Sequence, residues 1–225
     1  MLDTLLEFQD ARIGYEADQN LISSLNLRIT RENHVIISGS CGTGKSAIVK
    51  TILGLLNLWG GEYYAFGRDM DNPSAPLLSY VRKKIGILPD KGILLQHLTV
   101  FQNIALPLRY GHFESIEKVT ALLEPFVKEF NLVDLLDLYP SSLNLDQIKK
   151  VGFVRSLINN PDLLILDDPF EGLDNEGVEV FWKRLFQIKS EKETTVLFFS
   201  RKTIEEKSYF SYRYRLMSDG LLEVS

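Results

Sequence analysis

Along the first third of the chain, apolar residues gather in short runs broken by polar turns, a strand-like pattern. Leu5–Ile13 and Leu25–Ile29 are two such runs, and His34–Ile37 is a compact apolar strand candidate. The period then changes. Ile48, Ile52, Leu55 and Leu56 share a helical face, which predicts a helix over Ala47–Leu56 that Gly60-Gly61 stops. Tyr63–Phe66 predicts another strand before a turn at Gly67, and Ile85–Leu88 a buried strand closed by Pro89. From Thr99 to about Asn159 the pattern is helical: Phe101, Ile104, Ala105 and Leu108 share one face, and Ile116, Val119, Leu122, Leu123 and Phe126 another. Strands return at Leu163–Leu166 and Val196–Phe199, each after a helix candidate. A hairpin of Tyr212–Met217 and Leu221–Val224 turns at Asp219-Gly220. The pattern is that of one α/β domain with two lobes and a helical insertion.

Composition narrows the class. A chain of 225 residues, 45% hydrophobic and 24% charged, has enough apolar surface for one sizeable core. It holds no run of 18 apolar residues, so no membrane span is expected. Met1–Asp10 carries acids early and no basic region before an apolar run, so it is not read as a secretory signal. One cysteine excludes an internal disulfide framework and fits a reducing cytoplasm. A net charge of −5 argues against nucleic acid as the main partner.

The chemistry begins at Gly39-Ser40-Cys41-Gly42-Thr43-Gly44-Lys45-Ser46, which matches G-x-x-x-x-G-K-[ST] in full, with a strand (Val35, Ile36, Ile37) before it and a helix after. Glycines let backbone N–H groups turn toward phosphates, and the helix N-terminus, from Ala47 on, adds positive potential. Lys45 is expected on the β- and γ-phosphates, and the Ser46 hydroxyl on Mg²⁺. Leu163-Leu164-Ile165-Leu166-Asp167-Asp168 supplies the acidic strand end such a loop needs, with Asp167 reaching magnesium through water.

These pieces resemble the nucleotide-binding domain of ABC transporters across essentially the whole chain. Tyr139-Pro140-Ser141-Ser142-Leu143-Asn144-Leu145-Asp146-Gln147 stands where that family has its Leu-Ser-Gly-Gly-Gln signature, and Glu171-Gly172-Leu173-Asp174 resembles its D-loop. The resemblance implies a P-loop fold in three parts: a mostly parallel sheet core, an N-terminal antiparallel β subdomain and a helical subdomain. On that basis residues 1–93 and 160–225 form the RecA-like core with its antiparallel lobe, and 94–159 the helical subdomain. Tyr15 falls where the family stacks an aromatic on adenine. A narrower resemblance, to ATPases of bacterial lipid-trafficking (Mla/Mce-type) transporters and to FtsE and LolD-like subunits, rests on His97–Leu108, the Pro169-Phe170-Glu171-Gly172 turn and the short ending.

The departures fall on the parts that hydrolyse. Asp168 holds the place of the family's catalytic glutamate, one methylene shorter. A carboxylate set back by about an ångström costs on the order of a hundredfold in rate. Arg201 holds the place of the switch histidine; it either approaches the γ-phosphate or is a solvated loop cation. Asp90 holds the place of the Q-loop glutamine and either binds metal directly or caps a turn. In the signature, Asn144, Leu145 and Asp146 replace serine and two glycines. Asn144 is suited to cap the next helix, whereas Asp146 would aim its charge at a triphosphate at a cost of roughly 3 kcal/mol at about 6 Å.

What the resemblance implies is a subunit that binds ATP and Mg²⁺, pairs with a second ABC ATPase subunit and docks on an integral membrane permease. It would lie peripherally on the cytoplasmic face of the cell membrane, with Leu94, Leu95, Phe101 and Tyr110 as candidate groove residues. Two readings stay open: a slow ATPase driving transport, including lipid transport, and a nucleotide-dependent clamp that scarcely hydrolyses. A soluble non-transport role is disfavoured by the lack of a second such domain or coiled-coil arms.

Overall fold

A computed structural model describes residues 3–16, 19–111, 115–204, 206–217 and 219–224. The first half runs β1 (Thr4–Glu16), β2 (Gln19–Thr30), β3 (Val35–Ser38), α1 (Lys45–Ile52), β4 (Leu58–Ala65), β5 (Arg68–Asp69), α2 (Ala75–Lys83) and β6 (Ile85–Leu88). Three helices follow, α3 (Val100–Gly111), α4 (Ile116–Glu129) and α5 (Leu145–Leu157). The chain then closes with β7 (Leu163–Asp167), α6 (Asn175–Glu191), β8 (Thr195–Ser200), β9 (Tyr212–Met217) and β10 (Gly220–Glu223).

The strands form two sheets. A four-stranded antiparallel sheet has the order β2-β1-β4-β5. A six-stranded sheet has the order β10-β9-β3-β8-β7-β6, parallel throughout except for β10. The parallel strands read as unbroken apolar runs because both of their faces are covered. Val35, Ile37, Leu163, Ile165, Leu197 and Phe199 point into the core shared with the antiparallel sheet and α1. Ile36, Leu164, Leu166, Val196 and Phe198 point the other way, into a core with α3–α6. Alternation along each strand thus feeds two cores from one sheet.

The predicted strands are present, with ends moved by a few residues, and the Tyr212–Met217 strand has the expected bounds. Three expectations need correction. The first helix stops at Ile52, because Gly54 takes a left-handed conformation (φ 64) and closes the last turn, so Leu55 is exposed instead of sharing the buried face. Gly60 and Gly61 lie inside β4: Gly61, at φ 74, makes a bulge opposite Asp10, where a Cβ would sit 2.3 Å from the Asp10 carbonyl oxygen. The pattern also gave no warning of α2 or β5. Helix α2 fully buries only Val81, with Leu77 and Leu78 half-buried on the same side, and Ser74 caps it through the Leu77 N–H. Among the described residues, no helix is long and apolar enough to cross a membrane.

Candidate functional site

The parallel strands β3, β8 and β7 are neighbours, so the loops at their carboxyl ends meet. The first of these loops is Gly39–Gly44. Its Gly39 N–H donates to the Ser200 carbonyl at 3.0 Å, which fastens the start of the loop to the end of β8. The Thr43 hydroxyl donates to the Ser40 carbonyl at 3.0 Å across the turn. Gly44, at φ 102, is the residue from which α1 starts; its carbonyl accepts from the Ala47 and Ile48 N–H groups. A side chain there is doubly barred, by the backbone angle and by Ile22, 3.0 Å from where a Cβ would stand.

Lys45 is buried, and its Nζ donates to the carbonyls of Gly39 at 2.6 Å and Ser40 at 2.8 Å. Burial lowers its pKa, and the carboxylates of Asp168 and Asp167 oppose that shift. The Ser46 hydroxyl lies 3.5 Å from Asp167 Oδ2, across the gap from α1 to β7. Asp167 is itself buried, and its pKa is pushed up to about 6, mainly by burial and then by the nearby charges of Asp168 and Asp90. A hydroxyl beside a carboxylate that lacks enough positive charge is an oxygen donor set suited to a hard dication such as Mg²⁺.

These residues line one cleft of about 330 Å³, together with Tyr15, Cys41, Gly42 and Ala47 from the β1, loop and α1 side. Asp90, Asp168 and Arg201 line its opposite side. Tyr15 is more than half exposed, and its hydroxyl accepts from Lys50 Nζ at 3.1 Å. Cys41 is an exposed free thiol.

Arg201 is partly exposed, but its cationic side chain is paired with carboxylates and is not a free loop cation. Its main-chain N–H donates to Asp168 Oδ1 at 2.8 Å and its Nε pairs with Asp168 Oδ2 at 2.7 Å. Its Nη2 pairs with Asp90 Oδ1 at 3.1 Å and with Glu171. Asp90 is therefore a partner of Arg201. The three carboxylates bring ligand atoms within 4.8 Å of one another. Donors from one residue, most of them on a positive guanidinium, keep that crowd of negative charge together.

The altered signature lies elsewhere. Asn144 caps α5 as expected: its side chain accepts from the Gln147 N–H at 2.9 Å, and Gln147 accepts from the Asn144 N–H at 3.0 Å. Asp146 corrects the expectation of a bare charge. It pairs with Lys150 at 2.7 Å, one turn along the same helix, with both side chains largely buried. Leu145 covers Gly172, where a Cβ would come within 2.3 Å of it. Neither Asn144 nor Asp146 lines the cleft of this chain.

Two residues of the site went unread in the sequence. Glu171 completes the grip on Arg201, and its only signal was its place beside Gly172 in a motif-bearing turn. Lys149 is fully buried and donates to the Asp168 carbonyl at 2.8 Å. Its signal was a lysine four residues after Leu145 and three before Gly152, on a face that must pack. Of the expected groove residues, Leu94 is core, Leu95 is exposed, Phe101 is half-buried, and the Tyr110 side chain lies outside the described residues. A separate apolar groove of about 530 Å³ runs past Ile85, Ile87, Leu106 and Pro107.

The family model described as ABC transporter matches residues 22–171. The trimethylamine N-oxide transport system ATP-binding protein TmoW of Pelagibacter ubique is 26% identical over 203 residues, 90% of this chain and 59% of TmoW. The macrolide export ATP-binding/permease protein MacB of Shigella flexneri is 29% identical over 86% of this chain and 30% of MacB. The chain thus spans less than two thirds of these two relatives. The lipoprotein-releasing system ATP-binding protein LolD of Wigglesworthia glossinidia brevipalpis is 29% identical over 79% of this chain and 77% of LolD. Among solved structures, the dimeric ATP-binding cassette MJ0796 in a post-hydrolysis state with ADP and Pi superposes with a TM-score of 0.89 over 98% of both chains at 23% identity, a likeness of fold.

Proposed function

The chain belongs to the ABC transporter family, and from that premise we propose that it is a transporter's nucleotide-binding subunit, gripping Mg-ATP firmly and hydrolysing it slowly. The observation that carries this reading is the double hold of Arg201 on Asp168. The gripping residues are complete. The loop residues Cys41, Gly42 and Gly44 line the cleft at the start of α1, Lys45 has the charge to neutralise a triphosphate, and Tyr15 offers an aromatic face in the same cleft. Ser46 and Asp167 are the residues that would hold Mg²⁺, which supplies charge neutralisation on the phosphates.

Hydrolysis needs a carboxylate free to orient water. Here Asp168 is one methylene short and both of its oxygens are taken by Arg201. Freeing it means breaking a charge-assisted contact at every turnover. The same hold favours the second reading, a nucleotide-dependent clamp, where the carboxylate is never freed.

For partners, the reading takes a second ATP-binding subunit, as the dimeric MJ0796 cassette suggests, and a membrane permease whose segment enters the groove beside Leu106 and Pro107. It acts from the cytoplasmic face of that membrane. The relatives' names cover trimethylamine N-oxide, macrolide, lipoprotein, methionine and iron transport. Lipid-linked cargo is favoured among these by the LolD match, which takes in most of that relative's length.

The test is phosphate release by the chain assembled with its co-purifying membrane partner, with Lys45→Ala as the blank. Slow release abolished in Lys45→Ala supports the enzyme. Calorimetric Mg-ATP binding with no release above the blank supports the clamp. No Mg-ATP binding by folded, assembled protein overturns both. Stimulation of release by lipoprotein or phospholipid, and by no other cargo class, tests the lipid reading.

A further inference from the structure

Helix α5 carries a charged group that the chemistry above does not use. Lys149 has 0% of its surface exposed, in a helix whose neighbours Val151, Phe153 and Val154 are core. Lysine is among the residues least often buried completely, and it is buried only with a partner. The partner here is a main-chain atom: Nζ donates to the carbonyl of Asp168 at 2.8 Å. Burial lowers the ammonium's pKa to about 8, and the carboxylates of Asp90, Asp168 and Asp167 favour its charged form, with Arg201 opposing.

Asp168 is an unusual place for such a contact. Its φ is 45, a left-handed conformation that a residue with a Cβ adopts only when its surroundings hold it there. Three hydrogen bonds hold its peptide groups: its N–H donates to the Phe199 carbonyl at 3.0 Å, and its carbonyl accepts from Lys149 and, within its own loop, from the Glu171 N–H at 3.2 Å. The first ties Asp168 to β8. The second ties it to α5.

The same two turns of α5 touch the rest of the carboxylate cluster. Leu145 packs on Gly172, next to Glu171 on the loop that also carries Asp168. Ile148 and Gly152 pack on Gly92, two residues beyond Asp90. One helix therefore meets both loops that supply carboxylates to Arg201, and it meets the one bearing Asp168 through a buried ammonium as well.

We infer that Lys149 is a positioning residue, pinning α5 to the left-handed peptide of Asp168 so that helix and carboxylate keep one fixed relation. The inference deepens the proposed function, on which its rate consequences rest, but the hydrogen bond it concerns is present with or without turnover. Lys149 touches no reacting atom. It acts through Asp168, whose carboxylate swings if its peptide turns.

Two substitutions separate this role from ordinary core packing. Lys149→Met keeps length and apolar bulk and removes both donor and charge. Lys149→Gln keeps an N–H donor without charge. The first measurement is amide hydrogen exchange in the full chain, which needs no hydrolysis. Lys149→Met is expected to speed exchange at the Asp168 and Arg201 amides at least tenfold, leaving the β3–α1 segment unchanged, and Lys149→Gln to restore much of the protection. The second is phosphate release by the assembled protein: about a tenfold fall in kcat for Lys149→Met, KM for Mg-ATP within about twofold, and partial recovery in Lys149→Gln.

Unchanged exchange at Asp168 and Arg201 in Lys149→Met overturns the inference. So does faster exchange spread evenly over α5, α6 and the sheet with no recovery in Lys149→Gln, which is the mark of a packing defect. If the wild-type chain releases no phosphate above Lys45→Ala, the enzyme reading fails, while the exchange measurement still decides the role of Lys149.

Discussion

Replacing Arg201 by glutamine is expected to make the protein a faster ATPase. Asp168 accepts twice from Arg201, from the main-chain N–H at 2.8 Å and from Nε at 2.7 Å. The substitution removes the second contact and leaves the first. A hydrogen bond to a charged group contributes roughly 1.5–3 kcal/mol. The Arg201 side chain is 34% exposed, and solvent screening reduces the figure to roughly 1–2 kcal/mol. If that is the cost of freeing the carboxylate in each cycle, its removal speeds turnover about 5- to 30-fold. The assay is steady-state phosphate release by the assembled protein at saturating Mg-ATP, with Lys45→Ala subtracted and the Mg-ATP Kd measured alongside. A rate equal to or below wild type at unchanged Kd refutes the reasoning, because Arg201 would then support turnover instead of restraining it.

Three further outcomes follow from the same geometry. His34 is buried and stays neutral in the fold, with its pKa lowered to about 4, first by burial and then by Lys189. The unfolded chain takes that proton near pH 6.5, so stability is full above about 6.5 and falls as pH drops toward 4. From pH 7 to 5 the His34 contribution falls by about 2 kcal/mol, or roughly 4–8 °C in Tm, read as the difference between wild type and His34→Gln because Asp167, raised to about 6, gains stability over the same window; a melting series in which His34→Gln keeps the wild-type slope contradicts it. Mg-ATP is expected to protect Cys41, exposed in the wall of the cleft, from alkylation; equal labelling rates with and without nucleotide count against the binding site. Gly86→Ala on β6 would place a Cβ 2.0 Å from the Ser156 carbonyl oxygen, and denaturant melts are expected to show a loss of about 2–4 kcal/mol, whereas an unchanged midpoint shows that α5 yields easily.

What the sequence made legible was set by periodicity and by one uncommon motif. The parallel strands stood out because their apolar runs are short, bounded by turn signals and rich in β-branched and aromatic residues, and Gly39–Ser46 stood out because its glycines and lysine have fixed spacing. Helix α2 did not, since it lies on the surface with only Val81 buried. The first helix was drawn too long because Leu55 and Leu56 continue its period past Gly54, and a single left-handed glycine ended it against the pattern. The cleft itself followed from the strand order, which brings loops distant in sequence together. Charge pairing did not follow. The i, i+4 spacing of Asp146 and Lys150 was the one readable hint of a pair, whereas the reach of Glu171 to Arg201 and of Lys149 to a carbonyl depends on loops brought together by the fold.

The alternation along β3, β7 and β8 has a consequence for how such a chain changes over time. The phosphate-holding loop springs from β3 and leads into α1, whose buried face packs into the core with the antiparallel sheet. The signature helix and the helical segment pack into the separate core on the opposite face. Substitutions that reshape the second core act on the opposite face of the sheet from the loop Gly39–Gly44 and α1. A lineage can therefore discard speed while retaining capture, and a subunit that began as a motor can persist as a sensor of whether fuel is present.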